Sequence, residues 1–201
     1  MTLFLLDMAG TFAFALSGGL RGVERRFDLF GVVFLAYVAS VSGGVLRDLL
    51  IGAAPPAAIV DWRYAALAVS AGVICYFFYA AVARLAHHIA VMDAIGLGLF
   101  AALGAEKALN FGLSPPMAAL LGLITGIGGG MARDILTMRA PMVLHKDFYA
   151  LAALAGAALT AAAAHVGTPA AAATTLGAAL TTGLRLTAMR ENWRLPPARP
   201  R

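Results

Sequence analysis

The sequence predicts an all-α membrane protein: seven transmembrane helices, built as two inverted three-helix repeats plus a seventh helix, with the second and fifth helices kinked at Gly motifs. Three observations carry that prediction. Hydrophobic residues make up 61% of the chain, its mean hydropathy is +0.84 and charged residues are 12%, against about 25% in soluble domains. Apolar segments near the roughly 20 residues that a helix needs to cross a bilayer recur between short polar breaks. Finally, "SGGVLRD" at 42 to 48 returns as "GGGMARD" at 128 to 134.

The spans fall at 3 to 20, 29 to 51, 63 to 83, 90 to 108, 116 to 137, 148 to 165 and 169 to 188. The first begins in "MTLFLLDMAG", which has no basic leader and carries Asp7 inside its apolar stretch, so it reads as a retained span and not a cleaved signal. The lone cysteine, Cys75, falls in the third span, and no intrachain disulfide is expected. Spans six and seven, "LAALAGAALTAAAA" and "AAAATTLGAALTTG", are dominated by small residues suited to close helix packing within or between subunits. Barrel strands would alternate in polarity, whereas these runs are continuous, so helices are the form that satisfies the backbone in lipid.

The formal net charge is +5, and its distribution is that of membrane topology. Arg21, Arg25 and Arg26 follow the first span, Arg84 the third, Arg139 and Lys146 the fifth, and Arg185, Arg190, Arg194, Arg199 and Arg201 end the chain. With seven spans these share one side, and the other offers mainly Arg63 and Lys107. The positive-inside rule places the N-terminus outside and the C-terminus in the cytoplasm. That accounts for the charge without nucleic acid, and it leaves anionic lipid as an expected contact of the basic tail.

Arg47 and Arg133 lie 86 positions apart, and the same offset aligns Asp7 with Asp93, Gly10 with Gly96, Phe14 with Phe100 and Gly18 with Gly104. Further on it aligns Gly43 with Gly129, Gly44 with Gly130, Asp48 with Asp134, Pro55 with Pro141 and Asp61 with Asp147, with no gap expected. The expected organisation is a first repeat at 1 to 86, a second at 87 to 167, a seventh helix at 168 to 190 and a basic tail at 191 to 201. Three spans begin on one side of a membrane and end on the other, so the second copy is inverted. Proteins built this way place their site near the midplane, between the repeats, at helices interrupted by Gly or Pro.

The candidate site residues are therefore Ser42, Gly43 and Gly44 with Arg47 and Asp48; Gly128, Gly129 and Gly130 with Arg133 and Asp134; and Asp7 and Asp93 on the spans before them. Each helical glycine is less favourable than alanine by about 0.8 to 1 kcal/mol, so a triplet weakens one turn and frees carbonyls for a cavity. Close helix packing is the other use of such residues. Adjacent Arg and Asp stand about 100° apart around a helix and are not expected to face each other. Asp7 is expected near Arg47 and Asp93 near Arg133. Six such charges facing lipid would cost on the order of 15 to 20 kcal/mol, so they are paired, hydrated or interfacial. Snorkelling from a helix end is a further account of Arg47.

The paired Gly-Gly-x-x-Arg-Asp motifs on the second and fifth spans, with two three-span repeats and a seventh span, resemble the prokaryotic trimeric intracellular cation (TRIC) channels over nearly the whole chain. The Lys-Glu-Val motif of animal members is lacking, and Ser42 replaces the first glycine of the first copy. The resemblance implies a homotrimer in which every subunit has its own pore for potassium and, less selectively, sodium. Ser42, Thr125 and Thr137 would add polar lining, and the Arg-Asp pairs would set the local field or a gate. An inverted repeat equally suits a secondary transporter of a small solute, with Asp7 or Asp93 coupling to protons or sodium; a structural scaffold has no use for matched charges.

No enzyme, cofactor or metal is expected. His87 and His88 share a loop without further ligands, His145 and His165 lie near span ends, and neither glycine cluster is followed by the Lys-Ser or Lys-Thr of a phosphate loop. Glu106 and Lys107 read as an interfacial charge pair. The Ala and Arg bias suggests a GC-rich bacterial genome and the cytoplasmic (inner) membrane.

Overall fold

A computed structural model describes residues 1–85, 89–145, 148–191 and 193, and among these there is no strand. The helices are α1 (Thr2–Glu24), α2 (Leu29–Leu50), α3 (Ala57–Val60), α4 (Trp62–Phe77), α5 (Tyr79–Leu85), α6 (Ile89–Asn110), α7 (Pro115–Leu136), α8 (Met142–His145), α9 (Phe148–His165) and α10 (Ala170–Arg190). Five of them, α1, α2, α6, α7 and α9, are long and apolar enough to cross a membrane; α4 is apolar over 16 residues, and α10 is 21 residues long with more threonine. The chain is a multi-pass α-helical membrane protein.

Local chemistry sets the boundaries. The Asp28 carboxylate accepts the Gly31 amide at 2.7 Å and opens α2, while proline stands in the first turn of α7, where its missing N–H is no loss. Five of the described helices end in the same way, with a left-handed residue followed by a six-residue closing bond: Phe27 N to Gly22 O (3.0 Å), Ala53 N to Asp48 O (2.8 Å), Leu113 N to Ala108 O (3.1 Å), Arg139 N to Asp134 O (2.9 Å) and Thr168 N to Ala163 O (3.0 Å). The left-handed residues are Arg26, Gly52, Gly112, Met138 and Gly167. The expected third span, 63 to 83, is two helices separated at Phe78; apolar residues run straight across that break, so hydropathy does not mark it.

Helices α1, α2 and α4 pack together, as do α6, α7 and α9, and α10 lies on α6 and α9. The two groups meet through reciprocal contacts. A methyl group at Gly10 would meet the Phe100 ring, and one at Gly96 would meet the Phe14 ring 2.7 Å away. Because 10 meets 100 while 14 meets 96, α1 and α6 run antiparallel. The Phe14 and Phe100 rings lie 5.4 Å apart at that crossing. At the second crossing the missing side chain of Gly43 points at the Thr125 carbonyl and that of Gly129 at the Ala39 carbonyl, and Thr125 lies 86 positions beyond Ala39.

α2 and α7 stay α-helical through 42 to 44 and 128 to 130. At this crossing the glycines let two backbones touch: a methyl group at Gly128 would lie 2.7 Å from the Gly43 Cα. The gapless repeat is corrected, since beyond Asp48 the matching positions are 85 apart, Ala57 opposite Met142 and Tyr64 opposite Tyr149. The first copy has one more residue in the connection after its motif, a surface segment where length is free to vary. Of the expected matches, Asp147 lies outside the described residues, as do His87, His88, Lys146, Arg194, Arg199 and Arg201.

Candidate functional site

Two clusters of charge flank the glycine crossing. In the first, Arg47 Nε donates to Asp48 Oδ1 at 2.8 Å, Lys107 Nζ reaches the same oxygen at 2.8 Å, and Asp48 Oδ2 accepts the Ala57 amide at 3.0 Å. Asp7 accepts the Tyr64 hydroxyl proton. Arg47 and Asp48 are buried, yet Asp7, Arg47, Tyr64, Glu106 and Lys107 line a cavity of about 200 Å³ beside Leu3 and Phe4. A smaller cavity of about 10 Å³ is lined by Asp7, Ser40, Gly44, Arg47, Tyr64 and Phe100. It is comparable in size with the space that one water molecule needs.

The second cluster repeats the pattern with different partners. Arg133 Nε donates to Asp134 Oδ1 at 2.9 Å, and Asp134 Oδ2 accepts the Met142 amide at 3.0 Å. Arg133 Nη1 binds Asp93 Oδ1 at 2.5 Å and also donates to the Ser17 hydroxyl. Arg133 is 0% exposed and Asp93 1%, so this ion pair lies wholly inside the protein. Removing one member of such a pair costs about 3 to 5 kcal/mol because the other charge is stranded. Tyr149 takes the place of Tyr64, but the guanidinium of Arg185 stacks over its ring, 5.1 Å from the centroid.

Of the sequence-derived candidates, Asp93 and Arg133 meet as expected. Asp7 and Arg47 line the same cavities, but the partner of Asp7 is Tyr64. The expectation that neighbouring Arg and Asp do not face each other is corrected at both copies. The long arginine side chain curls back at the helix end, and its Nε meets the adjacent carboxylate, whose second oxygen is held by the next short helix. The Ser42 hydroxyl donates to the Val38 carbonyl, Thr125 to Leu121 and Thr137 to Arg133, each back along its own helix.

Several contributors escaped the sequence reading. Lys107 is not an interfacial partner of Glu106: it pairs with Asp48, while Glu106 accepts from Asn110 at 2.6 Å. Its match to Arg21 at the 86-residue offset was the available signal. Arg185, grouped by sequence with the basic chain end, is 3% exposed and belongs to the second cluster. Tyr64 and Tyr149 were hidden by the one-residue change of offset. His145 is the last residue of α8 and His165 the last of α9.

The comparisons with known proteins agree with this architecture. A family model described as "Glycine transporter" matches residues 4–80 and 90–165, two stretches whose starts are 86 apart. The inner membrane protein YadS of Escherichia coli is 34% identical over 198 residues, covering 98% of this chain and 96% of that one. A membrane protein of Deinococcus radiodurans is 41% identical over 154 residues, covering 76% and 72%. The TRIC trimeric intracellular cation channel orthologue from Rhodobacter sphaeroides superimposes with a TM-score of 0.90 at 32% identity, over 95% of this chain and 98% of that one. The chain belongs to the prokaryotic TRIC family. A second solved structure, of a prokaryotic TRIC channel in potassium chloride, matches with a TM-score of 0.89 at 34% identity over 96% and 98% of the chains. The solved relatives are channels and not enzymes, so the charge clusters call for no catalytic reading.

Proposed function

We propose that the protein is a monovalent cation channel, passing potassium and less selectively sodium, with one hydrated pore in each subunit of a homotrimer. The observation that carries this reading is a pair of cavities that share Asp7, Arg47 and Tyr64, one lined also by Glu106 and Lys107 and the other by Ser40 and Gly44. The likeness to TRIC channels at 32% identity and a TM-score of 0.90 supports it. In this reading Asp7 and Asp93 attract and pass cations, while Arg47 and Arg133 are neutralised by Asp48 and Asp134 and shape the local field. The turns at 42 to 44 and 128 to 130 are the weak points at which α2 and α7 bend as the path opens.

The same reading has seven spans (α1, α2, α4 with α5, α6, α7, α9 and α10) forming repeats at 1 to 86 and 87 to 167, with a seventh helix at 168 to 190. The protein sits in the bacterial inner membrane with its N-terminus outside and its C-terminus cytoplasmic, and the tail at 191 to 201 meets anionic lipid. Purified protein in planar bilayers is expected to give discrete unitary potassium currents. Their absence, beside saturable coupled uptake into vesicles, would favour the second reading, a carrier of a small solute coupled to protons or sodium. One observation favours that alternative: a cavity lined by two acids and two cations suits a small zwitterion, in keeping with the "Glycine transporter" description of the family model.

A further inference from the structure

Four of these helix ends, those of α1, α2, α6 and α7, match in pairs at the 86-residue offset and offer an internal comparison. At one face of the molecule, α2 ends in Ile51, Gly52 and Ala53, and α6 ends in Phe111, Gly112 and Leu113. At the other, α1 ends in Arg25, Arg26 and Phe27, and α7 ends in Thr137, Met138 and Arg139. The backbone is the same in all four, left-handed at the central residue, with φ of 72° at Gly52, 83° at Gly112, 59° at Arg26 and 52° at Met138. Two ends use glycine, the residue that fits. The other two hold a side chain in a conformation that L-residues resist.

Those two strained ends are tied together, because the Arg25 guanidinium donates to the Thr137 carbonyl. Arg25, Arg26 and Arg139 are thereby gathered on one exposed surface, and among the described residues none has an acid within ion-pair distance. Glu24 is taken by Arg21 at 2.7 Å, and Asp28 by the Gly31 amide. The same two ends carry exposed apolar side chains, Met138 at 94% and Phe27 at 36%. Guanidinium groups bind phosphate oxygens in a forked geometry, and an apolar group beside them suits the glycerol and upper acyl region of a lipid. The positive-inside rule alone asks for charge on this face; it does not ask for two arginine-bearing ends to be joined around a projecting methionine.

We propose that the joined ends of α1 and α7 form a binding surface for the headgroup of an anionic phospholipid, with Arg25, Arg26 and Arg139 on the phosphate and Met138 and Phe27 in the adjoining apolar layer. Basic surfaces between transmembrane helices on the cytoplasmic side are where such headgroups bind. The surface is distinct from the tail and stands whether the path conducts or carries.

The test is lipid binding to the detergent-solubilised full chain by native mass spectrometry, with thermal unfolding in parallel, using phosphatidylglycerol against phosphatidylcholine. Each arginine removed is expected to weaken phosphatidylglycerol binding about fivefold, and the triple variant R25Q/R26G/R139Q on the order of a hundredfold. R26G alone is the decisive variant, since it relieves the strained turn: it should unfold at a higher temperature than wild type in phosphatidylcholine yet gain less from phosphatidylglycerol. Retention of the wild-type lipid response by R26G and R139Q would overturn the proposal. So would an equal loss in the control R190Q, which would mean diffuse attraction, or reproduction of the shift by inorganic phosphate, which would mean a free anion and no lipid.

Discussion

Gly44 and Gly130 hold the same place in the repeated motif and differ in what surrounds them. A methyl group at Gly130 would meet the Tyr149 hydroxyl at 2.7 Å and Asp93 Oδ1 at 3.2 Å, whereas at Gly44 it would meet only Arg47 Nη2 at 3.7 Å. Gly130→Ala is therefore expected to destabilise by about 1 to 3 kcal/mol, and Gly44→Ala to be neutral or to stabilise by up to about 1 kcal/mol. Thermal unfolding of the two variants side by side reads the difference, and equal shifts would mean that the second cluster yields as easily as the first. Met138→Gly should stabilise by about 1 kcal/mol, because Met138 bears a left-handed turn that its counterpart Gly52 bears without strain. A melting temperature unchanged or lowered by that substitution would contradict the strain argument.

At the scale of elements, the crossing of α2 and α7 depends on glycine. Gly43 and Gly129 each face a carbonyl of the opposite helix, so Gly43→Ala must push two backbones apart. It should cost at least the 1 to 3 kcal/mol of an overpacked core. Gly183, on α10 with nothing within 4 Å of its missing side chain, is the control, and Gly183→Ala should stabilise by up to about 1 kcal/mol. Circular dichroism melts in one detergent suffice, and a Gly43→Ala variant as stable as Gly183→Ala would show that the crossing is looser than described. The glycines were legible in the sequence as marked positions, and their mechanical role was not. Weak helical propensity and close packing both call for the same residue, and a partner helix 86 positions away decides which applies.

For the whole molecule, the two halves share a motif and diverge in state. The first cluster opens on a cavity, while the second is sealed around the Asp93 and Arg133 pair. Helix α10 contributes to this inequality, since it packs on α6 and α9 and brings Arg185 over Tyr149. In single-channel recording, Arg133→Ala and Asp134→Ala should change conductance or gating more than Arg190→Ala does, since both lie inside and Arg190 ends α10. Equal effects of the three would remove the motif from the pore. Part of the network was readable in advance, through Asp7, Asp93 and the two Arg-Asp pairs. Tyr64, Tyr149, Lys107 and Arg185 were not, because each reaches the cluster from another helix and none carries a pattern of its own.

Taken alone, the order of residues determined that this chain lives in a membrane, that it is helical, that its two halves descend from one pattern, and that Asp93 and the two Arg-Asp pairs lie inside. Hydropathy, forced pairing of backbone groups in lipid and the recurrence of rare polar residues at a constant offset are all properties of the string. Tertiary structure decided which partner each charge takes, why the glycines stand where two helices touch, and which half is sealed. Those outcomes depend on distances between segments far apart in the chain, and a one-residue change of register after the motif was enough to conceal the tyrosines that complete them.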